Sequence, residues 1–186
     1  MIALIITIVV VVLLVFYCIG AYNRFVKLRN HRENAFANID VQLKQRYDLI
    51  PQLVEVVKGY AKHESETLAR VIALRNSAVA ATTIDGKIAA ENQLSSVLQG
   101  LNVTIERYPE LKANTNFLQL QGEMADIENK LAAVRRFFNS ATKEYNNSIQ
   151  VFPANILAGM FGFTKAEMFD LGAERAIHEQ TPKVSF

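Results

Sequence analysis

A histidine followed by a glutamate occurs twice in this chain, and this pair opens the His-Glu-x-x-His motif of zinc proteases. In that motif, two imidazoles four residues apart share one helix face and bind the metal, while the glutamate acts as general base. The position that needs the second histidine is Thr67 after His63 and Pro182 after His178. Neither pair is completed, and we do not predict a zinc protease.

Other residue patterns that carry catalysis are also incomplete. The histidines lie far apart in sequence, and the single cysteine, Cys18, falls inside an apolar run, so the ligand spacing of a zinc site is not met. The segment Gly159–Gly162 lacks the Lys-Ser/Thr ending of a phosphate-binding loop and follows no predicted strand. No nucleophile is marked out beside a base. We predict a protein without catalytic residues, metal, cofactor or small-molecule substrate.

Polar residues on the first soluble helix and on its predicted partner helices form a candidate face for binding other proteins or a second copy. They are Asp40, Arg46, Asp48, Glu55, Tyr60, Arg135 and Asn139. The alternative for Asp40, Arg46 and Asp48 is a structural role, in ion pairs near the bend expected at Pro51. The net charge of +2 is too small to favour nucleic-acid binding.

The elements that position these residues begin with an apolar run, Ile2–Ile19, which contains no charge, proline or glycine. As a helix the run spans roughly 27 Å, close to the thickness of the hydrocarbon core of a bilayer. A cleaved signal peptide fits poorly, because no positive residue precedes the run and no small-x-small site closes it. A lipoprotein signal fits poorly because bulky Phe16 and Tyr17 precede Cys18. The run therefore predicts an uncleaved transmembrane anchor.

Positive charge lies on one side of this anchor only. No Lys or Arg precedes the apolar run, whereas a basic cluster follows it before the first acid, Glu33. The cluster consists of Arg24, Lys27, Arg29 and Arg32. The positive-inside rule then predicts that the C-terminal domain is cytoplasmic. The same cluster is placed to rest on anionic lipid headgroups.

The remainder of the chain reads as helix, since hairpin dipeptides and alternating apolar runs are missing. Apolar residues at spacings of three and four continue from Phe36 to Val71, across Pro51. This continuity predicts one long, kinked helix from the membrane to about Ala81. The alternative is a restart at Pro51 with Asp48 as the cap.

Two further helices are predicted after a turn over 82–86. The second carries apolar positions from Ile88 to Ile105 and stops before Pro109. The third has the most regular pattern, with apolar residues at spacings of three and four from Phe117 to Tyr145 and charges between them. Such a pattern is typical of core positions in a left-handed, coiled-coil-like bundle.

The segment 152–163 is apolar on nearly every face, more than one short helix can bury on one core. It either folds back on its own bundle or forms a contact surface for another subunit or for the membrane interface. Its large apolar residues are Phe152, Ile156, Leu157, Met160, Phe161 and Phe163. The polar tail that follows, with Val184 and Phe186, is expected to pack as an extended chain.

The predicted helices differ in length. The apolar stripe of the first spans about 53 Å and that of the second only roughly 25 Å. In a three-helix bundle, part of the first or third stripe would then lack a partner, and uncovered apolar surface favours association. We therefore expect a homo-oligomer, formed through the membrane-proximal part of the first helix.

Several short motifs resemble the LemA family, in the family's order and over essentially the whole chain. They are Ile39–Lys44, Arg46–Pro51, Lys58–Tyr60, Arg107–Asn114, Phe152–Ile156, Phe161–Phe163 and Pro182–Phe186. The resemblance implies a membrane-anchored helical-bundle protein of bacteria. It also implies relatives in magnetosome membranes and family members that are often found near small membrane proteins and proteases. It supplies no catalytic residues.

These patterns together predict an all-α protein with three segments. A transmembrane anchor over 1–21 continues into an elongated antiparallel three-helix bundle over 22–163, which includes a short C-terminal apolar helix, and an extended tail covers 164–186. We expect a non-enzymatic scaffold or adaptor of the bacterial inner membrane that contacts lipid through its anchor and binds other membrane proteins or itself. The alternatives are a membrane-shaping, lipid-binding protein and a regulatory subunit of a membrane protease or transporter.

Overall fold

The computed structural model describes residues 1–169, and this part of the chain forms helices and no strands. A short 3-10 helix, Lys62–Glu64, separates the first two α-helices. The α-helices are α1 (Ile2–Tyr60), α2 (Ser65–Ala80), α3 (Ile84–Ile105), α4 (Pro109–Lys112), α5 (Thr115–Gln150) and α6 (Ala154–Met160). The predicted all-α fold is confirmed. The tail residues Val184 and Phe186 and the histidine His178 lie outside the described residues.

Helix α1 runs through Pro51 as predicted, and the alternative of a restart at that proline does not occur. The helix nevertheless ends at Tyr60, because Ala61 leaves the helical region with φ −108° and ψ 61°. The prediction of one helix to about Ala81 was therefore wrong. Apolar spacing could not reveal this break, since Ala61 and Leu68 are both buried and their separation of two helical turns fits an interrupted helix as well as a continuous one.

The connection between α2 and α3 is shorter than the predicted turn over 82–86. Helix α3 begins at Ile84, and the hydroxyl oxygen of its N-cap, Thr83, accepts a hydrogen bond from the backbone N–H of Gly86 at 3.1 Å. A Cβ atom at Gly86 would lie 2.8 Å from that oxygen, so the absent side chain permits the cap. Asp85 and Gly86 thus belong to the first turn of α3.

The described chain forms two compact units, each assembled from segments distant in sequence. Unit 1 consists of Met1–Phe36 and Phe137–Glu167. Unit 2 consists of Ala37–Arg136 together with Met168 and Phe169, the last described residues. Helices α1 and α5 contribute residues to both units.

The core of unit 2 is built from the apolar stripes that the sequence predicts. Side chains at spacings of three and four along α1, α3 and α5 are buried because these spacings return to the same helix face. The buried positions include Ile39, Leu43, Ile50, Val57, Ile88, Leu94, Leu101, Phe117, Ile127 and Leu131.

The core of unit 1 is centred on Phe25 of α1 and on Tyr145 and Ile149 of α5, with Ala158 of α6 packed against them. Phe36 is also buried, with its ring centroid 5.7 Å from that of Phe138. The membrane-proximal stripe of α1 therefore has partners in its own chain. The expectation that this stripe is uncovered was wrong, because α5 and the segment after it cover it.

A glycine reverses the chain at the end of α6. Gly162 has φ +73°, which L side chains rarely adopt, and the backbone N–H of Phe163 donates to the carbonyl of Ala158 at 2.9 Å. The Gly162 N–H donates to the carbonyl of Gly159 at 3.3 Å. This pair of bonds is the Schellman arrangement of a helix C-terminus. It turns Phe163 back onto α1, where its ring lies 5.2 Å from that of Phe25.

The N-terminal part of α1 is the one segment of the described chain long and apolar enough to cross a membrane. Its apolar side chains are exposed, including Leu4, Leu13 and Phe16. The predicted candidate span is therefore present as a helix.

Candidate functional site

The most concentrated group of charged side chains in the described structure lies inside unit 2. Arg46 comes from α1, Glu91 from α3, and Glu128 and Arg135 from α5. Each of the first two occupies a position in phase with the apolar residues of its own helix, and the helix therefore turns it toward the core. We call these four residues the ion cluster.

Glu91 is the centre of the ion cluster. Its Oε2 atom lies 2.8 Å from Nη1 of Arg46 and 3.3 Å from Nη2 of Arg135. The other side of the Arg46 guanidinium, Nε, lies 2.8 Å from Oε1 of Glu128, and its Nη1 donates to Oγ of Ser95 at 3.2 Å. Two guanidinium groups thus face two carboxylates, of which Glu91 is buried and Glu128 is partly exposed.

Burial and neighbouring charges shift the pKa values of two side chains in and beside the ion cluster, Tyr47 and Arg135. Burial, followed by the charge of Glu91, raises the pKa of the Tyr47 hydroxyl well above its usual value. Burial, followed by the charge of Arg46, lowers the pKa of the Arg135 guanidinium, and the Glu91 carboxylate opposes this shift. The cluster ties α1, α3 and α5 together. Its charges are engaged with one another, and the arrangement is that of a structural core network.

The predicted recognition residues of α1 occupy different environments. Arg46 is buried in the ion cluster. Asp40 forms an ion pair with Lys87, and Asp48 lies 4.0 Å from Nη2 of Arg75 with its carboxylate mostly exposed. Arg46 and Asp40 are thus engaged in close ion pairs within the chain, whereas Asp48 stays accessible. Glu55 and Tyr60 are exposed, and the Tyr60 hydroxyl accepts a hydrogen bond from the Asn114 side chain at 3.0 Å.

The remaining predicted recognition residues lie on α5. Arg135 belongs to the ion cluster, and its guanidinium lies 5.2 Å from the ring centroid of Phe169. Asn139 is half-buried. Of the seven predicted residues, Asp48, Glu55 and Tyr60 are therefore the most accessible, and Arg46 and Arg135 are held in the core.

The four residues of the basic cluster after the apolar run differ in their exposure. Arg24, Lys27 and Arg29 are exposed. Arg32 is buried, because its Nε donates to the Thr142 hydroxyl at 3.3 Å and its Nη2 donates to the carbonyl of Glu167 at 3.2 Å. The Arg32 guanidinium also lies over the ring of Phe138 at 4.9 Å. Arg32 therefore stabilises unit 1 and is not available to lipid headgroups, contrary to the sequence prediction.

Hydrogen bonds from Asn146 and Tyr145 of α5 hold the segment after α6, and we call them the polar clamp. They were not predicted from the sequence. The Asn146 side-chain amide donates to the carbonyl of Ala166 at 2.9 Å, and its Oδ1 accepts from the Ala166 N–H at 2.8 Å. The Tyr145 hydroxyl donates to the carbonyl of Thr164 at 3.0 Å. The side-chain amide of Asn146 thus pairs with both the N–H and the carbonyl of Ala166. Ala166 lies outside the helices, so these bonds satisfy backbone groups that have no helical partner.

The apolar segment 152–163 splits between core and surface. Leu157 and Phe163 pack against the core of unit 1. The other large side chains are exposed, namely Phe152, Ile156, Met160 and Phe161. The segment therefore folds back on its own helices through Leu157 and Phe163, and its other large side chains leave an exposed apolar surface.

No group of three metal-ligating residues occurs among residues 1–169. His31 instead packs edge-on against the ring of Phe137, with centroids 5.6 Å apart, and His63 lies in the 3-10 helix.

Comparison with known proteins adds a family match. The model of the LemA family matches residues 35–186. The protein named LemA from Metamycoplasma hominis is 28% identical over 77% of this chain and 66% of its own length. The magnetosome proteins MamQ 1 of Paramagnetospirillum magneticum and MamQ of Magnetospirillum gryphiswaldense are each 23% identical over 80% of this chain and 64% of their own length. The chain thus spans slightly less than two thirds of each of these relatives.

Proposed function

This chain belongs to the LemA family, and we propose that it is a scaffold or adaptor anchored in the bacterial inner membrane. In this proposal the chain has no catalytic activity of its own and acts through contacts with other proteins or with further copies of itself. The positive-inside rule supports a cytoplasmic position for the part that follows the anchor. The relatives named as magnetosome proteins are compatible with membrane association.

The observation that carries the proposal is that one helix, α1, supplies both the candidate membrane span and part of the core of unit 2. A helix is the spanning element in which all backbone hydrogen bonds are made within the segment. One helix therefore carries both the residues proposed to lie in lipid and residues of a folded core, which is the property expected of a membrane-tethered scaffold.

The ion cluster gives unit 2 a fixed internal register. A buried carboxylate between two guanidinium groups tolerates little displacement, since a shift of one helix would leave an uncompensated charge in the core. The outer faces of the helices are consequently held in constant relative positions within the unit. A constant surface suits the binding of partners, because little ordering is needed on association.

The outer face of α1 within unit 2 is the proposed partner surface. Exposed residues recur along it at spacings of three and four, which places them on one side of the helix. They are Val41, Lys44, Asp48, Gln52 and Glu55. The face carries both signs of charge and one large exposed apolar side chain, Val41. This composition resembles the mixed surfaces of non-obligate protein interfaces.

Site-specific crosslinking tests this proposal. A photoreactive amino acid would be placed at Asp48 or Glu55 in the full-length protein, and cells would be irradiated before the membranes are solubilised. The proposal predicts discrete adducts of higher mass from both positions. Gln99, which is exposed on α3, is the matched control and should give no discrete adduct. Equal yields at all three positions, or no adduct from α1, would contradict the proposed surface.

Membrane shaping is the second candidate function, and the exposed apolar side chains of the segment 152–163 favour it. A regulatory subunit of a membrane protease or transporter is a special case of the adaptor proposal. It would be recognised by an adduct that contains a polypeptide of that class.

A further inference from the structure

The segment that joins α5 to α6 and continues to Phe161 exposes unusual apolar surface. Phe152 is 81% exposed, Ile156 56%, Met160 74% and Phe161 51%. No charged residue occurs from Val151 to Phe163. Soluble proteins rarely expose a contiguous uncharged group of large apolar side chains, and such a group marks a contact surface.

Helix α6 is two-sided in its packing. Ala154, Leu157 and Ala158 lie against the core of unit 1. Ile156 and Met160, which are four residues apart, lie on the other side and are exposed. Helix α6 therefore buries one face against the core of unit 1, and this packing holds its exposed face in a defined position.

Ring contacts place this surface at the end of the candidate membrane span. The ring centroid of Phe161 lies 5.0 Å from that of Tyr22, and the Phe163 ring lies 5.7 Å from the same tyrosine. Tyr22 follows Ile19, the last residue of the apolar run, by about 4–5 Å along the helix axis. The headgroup layer is of similar depth or deeper, so Phe161 lies within reach of the boundary between headgroups and acyl chains.

The residues that open this segment lie beside the same part of α1, near Ala21 and Phe25. Ile149, one residue before the end of α5, packs with Phe25, and Ala21 packs against the same group. Val151 and Phe152 follow immediately, and both are exposed. Tyrosine at the span boundary and exposed Arg24 and Lys27 beyond it are the residue types found beside lipid headgroups.

We propose that the exposed face of α6 and its flanks, formed by Phe152, Ile156, Met160 and Phe161, inserts into the interfacial layer of the membrane that α1 spans. The occupant of this surface is lipid, because the surface is continuous with the candidate span and carries no charge. The segment would act as a second membrane contact that fixes the tilt and rotation of α1 at the bilayer surface. This inference rests on the membrane anchor of the proposed function and is independent of the protein partner.

The absence of tryptophan from the chain allows a direct test. The full-length Phe152→Trp and Met160→Trp variants would be reconstituted in phosphatidylcholine vesicles, with and without bromine atoms at defined depths on the acyl chains. Each introduced tryptophan should emit at short wavelength and lose most of its emission to bromines at shallow positions. Val103→Trp, on an exposed position of α3, is the matched control and should emit as in water without bromine quenching. Circular dichroism would verify the helix content of each variant.

Two results would overturn the proposal. Long-wavelength, unquenched emission from F152W and M160W would show that the surface stays in water. Short-wavelength emission without bromine quenching would show that protein covers it. Neither result would bear on the scaffold role. A missing crosslink from Asp48 and Glu55 would, in turn, leave the lipid contact intact. The failures of the two proposals are therefore distinguishable.

Discussion

Arg46 on α1 and Glu91 on α3 approach to 2.8 Å inside unit 2, with only 3% and 0% of their side chains exposed. Arg135 on α5 reaches the same carboxylate oxygen at 3.3 Å. One acidic side chain therefore holds two basic side chains of different helices. Removal of this single charge should have a larger effect on unit 2 than removal of any exposed carboxylate.

The Glu91→Gln variant should lower the free energy of unfolding by about 3–5 kcal/mol, because it leaves buried guanidinium charge without its partner. Glu123→Gln, an exposed change of the same chemistry on α5, should stay within about 0.5 kcal/mol of the parent protein. Denaturant unfolding of the full-length proteins in one detergent, followed by circular dichroism, measures both. Equal effects of E91Q and E123Q would show that the ion cluster does not stabilise the core.

The raised pKa of Tyr47 predicts a loss of stability at alkaline pH. In the unfolded chain the hydroxyl loses its proton near pH 10, whereas the folded chain retains it, so the unfolded state binds fewer protons above that pH. The free energy of unfolding should then fall by about 1.4 kcal/mol per pH unit through this residue alone. The Tyr47→Phe variant should show a slope that is smaller by about half this amount at pH 10 and by nearly all of it between pH 11 and 12. An unchanged slope would contradict the buried, neutral hydroxyl.

The clamp formed by Asn146 should control the exposure of the segment after α6. The Asn146→Ala variant loses both hydrogen bonds to Ala166, and trypsin should cleave after the exposed Lys165 about 5- to 30-fold faster if this costs 1–2 kcal/mol. Asn147→Ala, on the neighbouring exposed position, is the control and should be cleaved at the parent rate. Mass spectrometry of timed digests identifies the cut. If both variants are cleaved alike, the segment is held by other contacts.

The helices were predictable because their apolar spacing is regular. The stripe of α5 from Phe117 to Tyr145 was predicted as core, and Phe117, Leu131, Phe138 and Tyr145 are buried. Hydrophobic periodicity reports which face of a helix is buried, and it does so well for long amphipathic helices. It does not report short interruptions, and the break at Ala61 was missed for that reason.

The sequence contains a signal for two members of the ion cluster, Glu91 and Arg46. Glu91 lies three residues after Ile88 and three before Leu94, and Arg46 lies three after Leu43 and four before Ile50. A charged residue in phase with an apolar stripe indicates a buried ion pair, whereas its charge alone suggests a surface position. Arg46 and Arg135 were accordingly predicted as recognition residues, and no role was predicted for Glu91.

The clamp by Asn146 could not be predicted from periodicity. Its partner, Ala166, belongs to a chain segment without helical hydrogen bonds, and nothing in the local sequence of such a segment specifies which side chain completes its backbone. The same holds for the turn at Gly162. There a glycine signals a possible left-handed residue, but only the structure shows that Phe163 returns to Phe25.

Native mass spectrometry of the full-length protein, gently solubilised from its own membrane, tests the central claim most directly. A membrane-anchored scaffold or adaptor should appear as multiples of the 20.9 kDa chain or as a complex of this chain with a second polypeptide. Multiples of the chain mass would identify self-assembly, and an additional mass would identify the partner. A bare 20.9 kDa monomer, recovered even from the mildest detergent, would contradict the scaffold account.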